Sequence, residues 1–375
     1  MTTDTDAAFM RKALALARKG LGRTSPNPAV GAVLVKGGRV MGSGYHRSAG
    51  LAHAEVAALE STAEDPRGST LYVTLEPCCH HGRTPPCVDA VIRAGIRRVV
   101  VGTLDPNPRV SGRGVKRLEE AGMDVTTGVR ETACRALNEA YNRHIATGLP
   151  FVTLKLASSL DGRIAAGTGH SRWITGPEAR RLVHRMRSLS DALMVGGSTA
   201  LADDPELTVR LVRGRDPVRV VVDSAFRVPL SSRIFKGPAA GRPGRAGTIV
   251  FTTGAADGKK IARATALGAE VVRVRKTRAG VDLKGVLAEL GRREITSVLV
   301  EGGGTLAASL LRAGLVDKVA HFIAPAYIGG DGVPSMGGLG VRDVGKALRL
   351  TGVKTRRAGC DIVVEGYIER PSTAG

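Results

Sequence analysis

Between Thr74 and Cys87 the chain reads TLEPCCHHGRTPPC, three cysteines and two histidines within fourteen residues. So many metal-competent side chains on one short stretch constrain the fold more than any other feature, because tertiary structure must bring the missing ligand to this loop. Upstream, His53-Ala54-Glu55 offers an imidazole and, two residues on, a carboxylate. Zinc catalysis needs three protein ligands, leaving the fourth tetrahedral position to water. It also needs a nearby carboxylate outside the ligand set to carry protons. Two thiolates offset the charge of the ion, which still lowers the pKa of a bound water to about 7.

H-x-E followed by P-C-x-x-C is the signature of zinc deaminases of nucleobases. Order and residue types match here, but eight residues separate Cys78 from Cys87 where the signature has two. Cys78 and Cys87 each follow a proline, as the signature cysteines do, so CHHGRTPP reads as an insertion between them. Cys79, adjacent to Cys78, is expected to point elsewhere. His80 and His81 are alternative ligands, although two thiolates match the metal charge better, and we read both as lining the pocket or capping the loop. A closed four-ligand staple would explain the cysteines but not Glu55 at its offset from His53.

The surrounding pattern alternates strands and helices. Residues 7–19 carry a helical period that stops at Gly20, residues 30–46 read as a hairpin about Lys36-Gly37-Gly38, and a helix over 53–63 leads to the strand STLYVTL. Beyond the Cys/His loop come VDAVIRAG (helix), RRVVVG (strand), GVKRLEEAG (helix), MDVTTGV (strand) and a helix from Glu131 to about Thr147. Such alternation predicts an α/β layered domain with helices on both sheet faces. TGLP, Thr147 to Pro150, is a helix stop and a boundary, giving domains 1–147 and 150–375. The second series has strands FVTLKLA, ALMVGG, VRVVVDS, TIVFTT, EVVRVR, SVLVEGG and KVAHFIAP, with a Gly/Pro/Ala-rich loop over 233–248. Within it, SVLVEGGGTLAASLL places glycines between a strand and an apolar helix, a turn that exposes backbone N–H groups to phosphate or simply turns tightly. MVGGSTALADDPELTVR repeats the strand–Gly–Gly pattern and adds Asp203-Asp204.

At 375 residues two to three domains are expected, and five cysteines, three of them clustered, fit metal binding better than a disulfide framework. No apolar run approaches the ~20 residues of a membrane span, and MTTDTDAAFM lacks a signal-peptide layout, so no membrane partner and a cytoplasmic location are expected. The formal charge of +21 raises nucleic acid as a partner. Basic residues are scattered, however, and aromatics are only 3%, leaving few platforms for stacking bases; small phosphorylated substrates suit the charge better than nucleic acid.

In SPNPAVGAVLV, HAE, TLEPCCHHGRTPPC, KLASSLDGRIA, SRWIT and DDPELTVR, taken in order, the chain resembles the bifunctional deaminase–reductases of riboflavin biosynthesis. Many relatives carry a small polar residue where Cys79 stands. The resemblance implies a cytidine-deaminase-like α/β/α domain followed by a dihydrofolate-reductase-like α/β domain, for which a homo-oligomer is expected. It implies hydrolytic deamination of 2,5-diamino-6-ribosylamino-4(3H)-pyrimidinone 5′-phosphate, with Zn2+ on His53, Cys78 and Cys87. Glu55 would take the water proton and return it to the departing ammonia, and Asn27 would contact substrate, unless it only forms the turn before Pro28. NADPH would then reduce the ribosyl side chain to ribityl. Matching positions place Ala157, Trp173, Thr199, Asp203, Gly303, Gly304 and Thr305 at the cofactor. They place Ser171, Arg187, Leu207, Arg210 and Glu301 at the substrate, where an Arg fork at 187 or 210 suits a sugar phosphate. Trp173 could instead be core, and Lys155 is either a paired structural lysine or a substrate contact.

Overall fold

The computed structural model describes residues 4–80, 85–236, 247–278 and 280–369, and the chain divides into two units, Met1–Leu149 and Pro150–Gly375. Part of the expected loop, 237–246, and His81 lie outside the described residues.

The first unit contains α1 (Asp4–Ala17), β1 (Gly31–Lys36), β2 (Arg39–Tyr45), α2 (Ala54–Glu60), β3 (Thr70–Val73) and α3 (Cys87–Arg93). These are followed by β4 (Arg98–Val101), α4 (Arg113–Glu120), β5 (Asp124–Thr127), α5 (Glu131–Leu137) and α6 (Glu139–Thr147). Its sheet runs β2-β1-β3-β4-β5, antiparallel around β1 and parallel from β3 to β5. Successive strand residues face opposite sides, and here both sides are apolar. Ala32, Leu34, Leu71, Val73, Val99 and Val101 pack with Ala54, Ala58, Val88 and Val91 of α2 and α3. Val33, Val35, Tyr72 and Val100 pack on the other side with Phe9, Met10, Ala13 and Leu14 of α1 and Cys134 of α5. Each Val, Leu, Phe or Met side chain among them contributes roughly 1.5–3 kcal/mol on full burial. Exposed ion pairs such as Arg39–Glu64 contribute at most about 1 kcal/mol. The two apolar faces therefore hold the sheet. Packing of α1 is close: a Cβ on Gly31 would meet the Ala13 carbonyl oxygen at 2.1 Å.

The helix expected over 131–147 is broken. Asn138 leaves helical geometry at φ −112° and ψ 30°, separating α5 from α6. Its buried amide instead clips the segment before β1, accepting from the Ala29 N–H at 2.8 Å and donating to the Ala29 carbonyl at 3.0 Å. Asparagine competes with helix by hydrogen-bonding backbone, and here the partner is distant in sequence.

The second unit opens with β6 (Phe151–Ser159), β7 (Arg163–Ala165), α7 (Pro177–Leu189), β8 (Ala192–Gly196), α8 (Gly197–Asp203) and β9 (Val218–Val222). There follow β10 (Thr248–Thr252), α9 (Gly258–Ala266), β11 (Ala269–Arg273), β12 (Lys276–Thr277), β13 (Gly280–Val281) and α10 (Leu283–Arg292). It closes with β14 (Ser297–Glu301), α11 (Gly304–Arg312), β15 (Lys318–Ala324), β16 (Val333–Pro334), β17 (Leu350–Ala358) and β18 (Asp361–Ile368). The main sheet is ordered β11-β10-β9-β8-β14-β6-β15-β18-β17, parallel up to β15 and antiparallel at β18 and β17. After β8 the chain continues to β9 on one side; after β14 it continues to β15 on the other. Loops leaving β8 and β14 therefore diverge, which opens a crevice at their carboxyl ends.

The β17–β18 hairpin is absent from the sequence reading. All but the two end residues of β17 are exposed, and its LTGVKTRRA composition lacks an apolar face. No helix among the described residues is long and apolar enough to cross a membrane.

Asn138→Ala removes both bonds to a buried backbone unit. The expected outcome is a loss of about 2–4 kcal/mol from the first unit in a denaturant titration, with little change in the second.

Candidate functional site

His53 caps the N-terminus of α2 with extended backbone, φ −72° and ψ 166°, and its carbonyl accepts from the Ala57 N–H at 2.9 Å. That places the imidazole at the helix mouth and Glu55 in the first turn, 3% exposed. Cys78 lies on the loop after β3, and Pro86 launches α3 at Cys87. Backbone holds the two cysteine segments together: the Val88 N–H donates to the Cys78 carbonyl at 3.2 Å and the Cys87 N–H to the Cys78 Sγ at 3.3 Å.

The His53 Nδ1 lies 3.2 Å from the Cys87 Sγ and 3.7 Å from the Cys78 Sγ, and all three donor atoms fall within 4.8 Å of one another. Tetrahedral zinc with bonds to nitrogen and sulfur places its ligands about 3.5 Å apart, so the spacing fits that ion. Charge fits as well. Hydrogen bonds from the Cys87 thiol, from His53 and from the Cys87 N–H pull Cys78 down to about 4 against its burial, leaving it a thiolate at neutral pH. Sharing that bond with Cys78, together with burial and Glu55, pushes the Cys87 thiol well above its usual range. A second thiolate therefore needs a dication among the donors. Burial, reinforced by the Cys78 charge, raises the Glu55 carboxyl to about 7, in the range of a group that both takes and gives protons.

Cys79 points away from the three donors, its thiol directed to the Arg109 carbonyl at 3.8 Å. His80 keeps a buried Nδ1 without a hydrogen-bond partner among the described residues. Asn27 stands nearby through a residue the sequence reading missed. Buried His46 has Nδ1 3.1 Å from the Ala52 carbonyl, so Nδ1 carries the proton and Nε2 accepts from the Asn27 amide at 3.1 Å. Burial lowers the His46 pKa, and its ring meets His53 edge-on at 5.1 Å and 76°. Glu76 was missed too. Its buried carboxylate accepts four backbone N–H bonds, from Asp105, Gly112, Gly114 and Val115, at 2.9–3.1 Å. These bonds fix the path of the chain two residues before Cys78.

In the second unit, Thr199, Gly303 and Thr305 line a cleft of about 250 Å³ at the carboxyl ends of β8, β9 and β14. The Gly303 N–H donates to the Thr199 Oγ1 at 2.9 Å, which joins the loops leaving β8 and β14. Gly302 adopts φ 115°, and a Cβ there would meet Thr199 at 2.8 Å, so the turn requires glycine. Gly304 backs the same turn, packed on the Met336–Gly337 backbone. Ala157, Trp173 and Asp203 do not line this cleft. Trp173 is 70% exposed, not core, with the Arg180 guanidinium 4.4 Å from its ring; neighbouring Arg172, which follows Ser171, donates to the Asp203 carbonyl at 3.1 Å. Ala157 sits mid-strand, packed against the apolar group containing Phe322.

A second cluster gathers Arg187, Leu207, Arg210 and Glu301. Arg187 Nε and Nη2 donate to the two Glu301 oxygens at 2.7 and 2.8 Å, and Nη1 donates to the Thr208 carbonyl at 3.0 Å. Of the two arginines offered as a phosphate fork, Arg187 is thus turned onto a carboxylate. Arg210 donates from its backbone to His184 Nδ1 at 2.9 Å and from Nη1 to Glu206 and Thr208 Oγ1 at 2.8 Å. Leu207 is buried at φ 54°, a left-handed conformation that bulky side chains rarely adopt. Burial pushes the Glu301 carboxyl up, but Arg187 and Lys155 outweigh it and hold it at about 2. Lys155 pairs with Glu301 in the strand register and lies 5.7 Å from the Phe322 ring; burial lowers its pKa.

Residues 3–103 match the family model of the cytidine and deoxycytidylate deaminase zinc-binding region, and residues 150–364 match the RibD C-terminal domain. The chain is 44% identical over 365 residues to riboflavin biosynthesis protein RibD of Aquifex aeolicus, covering 97% of this chain and 99% of that one. It is 43% identical over 342 residues to RibD of Escherichia coli, covering 87% and 89%. Among solved structures, RibD of Acinetobacter baumannii matches with a TM-score of 0.87 at 36% identity over 98% of this chain and 99% of that one. A diaminohydroxyphosphoribosylaminopyrimidine deaminase/5-amino-6-(5-phosphoribosylamino)uracil reductase of Thermotoga maritima matches at 0.84 and 39% over 97% and 99%. A cytidine-deaminase-like unit with a preformed donor triad, joined to a reductase unit with a glycine-lined crevice, is the composition of that family: the chain belongs to the RibD family of bifunctional deaminase–reductases of riboflavin biosynthesis.

Proposed function

We propose that residues 1–149 deaminate 2,5-diamino-6-ribosylamino-4(3H)-pyrimidinone 5′-phosphate by hydrolysis. Residues 150–375 then reduce the ribosyl side chain of 5-amino-6-(5-phosphoribosylamino)uracil to ribityl with NADPH. The observation that carries the reading is the donor triad of His53, Cys78 and Cys87 beside buried Glu55. Zinc held by these three residues supplies the Lewis acidity that makes a water nucleophilic at neutral pH. Glu55 accepts a proton from the attacking water and delivers one to the leaving ammonia, the exchange its raised pKa suits. His46, kept neutral by burial, holds the Asn27 amide by its nitrogen and leaves the amide oxygen to meet a substrate donor. In the second unit NADPH supplies the hydride, so the protein's task is placement. Thr199, Gly303 and Thr305 hold the cofactor in the crevice, while Arg210 and the Arg187–Glu301 pair order the substrate side.

Glu55→Gln should keep one zinc per chain by atomic absorption while ammonia release falls about 10²–10⁴-fold. NADPH oxidation on the already deaminated substrate should stay unchanged; a parallel fall in both activities would refute two separate sites. Cys78→Ser should instead lose zinc itself, since a hydroxyl is a poor ligand beside the remaining thiolate.

Glu301 titrates in the fold below its ordinary 4.5, so its pairing stabilises the second unit at neutral pH, and that contribution is lost as pH falls from 4.5 toward 2. Thermal melts across that range should show a steeper loss in the wild type than in Glu301→Gln. At neutral pH the pair is largely buried, its side chains 13% and 11% exposed, so Arg187→Ala should cost about 3 kcal/mol by stripping the buried Glu301 carboxylate of its bidentate partner and leaving only Lys155 beside it.

A further inference from the structure

Residues 207–210 belong to no helix or strand, and Leu207, Thr208 and Val209 are buried. Buried backbone outside regular structure still needs partners for its N–H and C=O groups. Here side chains take the place of a neighbouring strand. Arg187 Nη1 donates to the Thr208 carbonyl at 3.0 Å, and the Val209 N–H donates to Asp216 Oδ1 at 2.6 Å. The Arg210 N–H donates to His184 Nδ1 at 2.9 Å. Two of these bonds come from one helix face, since His184 and Arg187 stand three residues apart on α7 and residues at that spacing are neighbours on a helix surface. Arg187 is also locked onto Glu301, so α7, β14 and the irregular segment form one frame.

Within that frame His184 is the member whose bond depends on its protonation. Nδ1 accepts only while the ring is neutral, with its proton on Nε2. The residue is 6% exposed, and burial, helped by the Arg187 and Arg210 charges, lowers its pKa to about 4 against the opposing Glu301. The bond is therefore in place at neutral pH. What it holds is the root of Arg210, whose side chain is 39% exposed and whose Nη1 is steered by Glu206 and Thr208 Oγ1 at 2.8 Å. A guanidinium orders an anion only as well as its own root is fixed, because small misplacements at a binding group are costly. His184 itself does not line the crevice of the glycine turns. We propose that His184 is a positioning residue of the reductase: by accepting the Arg210 N–H it fixes where the Arg210 guanidinium meets the phosphorylated substrate. This rests on the proposed role of Arg210 in ordering the substrate side.

Steady-state reduction of 5-amino-6-(5-phosphoribosylamino)uracil by the full chain tests it. His184→Leu should raise KM for that substrate about tenfold, with kcat and the KM for NADPH changed by no more than about twofold. His184→Asn, whose Oδ1 stands where Nδ1 stood, should recover most of the loss. His184→Gln carries its acceptor one bond farther out and should not. In an Arg210→Gln background the His184→Leu penalty should disappear, since the group being positioned is gone. Equal KM values for the Asn and Gln variants, a fall in kcat with KM unchanged, or a penalty that persists in the Arg210→Gln background would each overturn the role of His184. If His184→Leu does not fold, the comparison of Asn with Gln decides alone. A wild type that reduces the substrate while Arg210→Gln keeps its KM overturns the part given to Arg210 and that of His184 with it. A wild type that leaves NADPH unoxidised with this substrate overturns the reductase reading itself.

Discussion

Two sulfurs and a carboxylate gathered in one corner cannot all ionise together unless a cation joins them, and the first unit is organised to impose that crowding. His53 and Cys87 are fixed because each stands at the start of a helix that packs one face of the sheet through Ala54, Ala58, Val88 and Val91. Cys78 comes from the loop of the central strand between them, and its path is set upstream by Glu76. One carboxylate with four backbone donors is far less able to shift than a side chain with one, since charge-assisted bonds run about 1.5–3 kcal/mol each. The apolar faces supply the stability against which the polar corner is held. The arrangement is dear in isolation and favourable with a dication present, so metal affinity and local fold are coupled.

The second unit solves a different problem with the same kind of sheet. Its crevice depends on backbone that approaches closely, and the means are glycine and threonine: Gly302 at φ 115°, Gly303 bonded to Thr199. To one side Arg187 pairs with Glu301, with Lys155 alongside, so the buried carboxylate there is compensated before any ligand arrives. Removing either partner leaves the other exposed to the full desolvation cost, which is why such a pair constrains geometry more than it adds stability.

What could be read in the chain beforehand follows from which contacts are local. The residues of the candidate donor triad were legible because each rides on a strand end or helix start within a recognisable spacing, His53 to Glu55 and Pro77 to Cys87. Alternation of element types revealed the layered α/β character because both sheet faces are apolar and the helices between them periodic. Glu76 escaped notice since its four partners lie 29 to 39 residues onward, and His46 because its meaning depends on Asn27 and Ala52 together. Asn138 read as an ordinary helical residue; only its bond to Ala29, 109 residues away, shows why the helix breaks there. The final hairpin was silent because its edge strand is exposed and basic, as edge strands that avoid pairing tend to be. Either Arg187 or Arg210 was offered as a phosphate fork, and a sequence cannot show that a carboxylate on a strand more than a hundred residues later takes the fork of Arg187.

The formal charge of +21 takes a narrower meaning in this light. Its basic residues are spread along the chain, and charges farther apart than about 8 Å are largely screened at physiological salt. A scattered field of this kind raises the encounter rate of anions without gripping any one of them. Arginines in defined surroundings must then do the discriminating. Arg187 is held by Glu301 through both arms of its fork; Arg227 is more exposed and makes only contacts of 3.4–3.5 Å. The same side chain type is thus held to different degrees according to how firmly its neighbours already satisfy it, a distinction set by hydrogen-bond distance and burial rather than by charge.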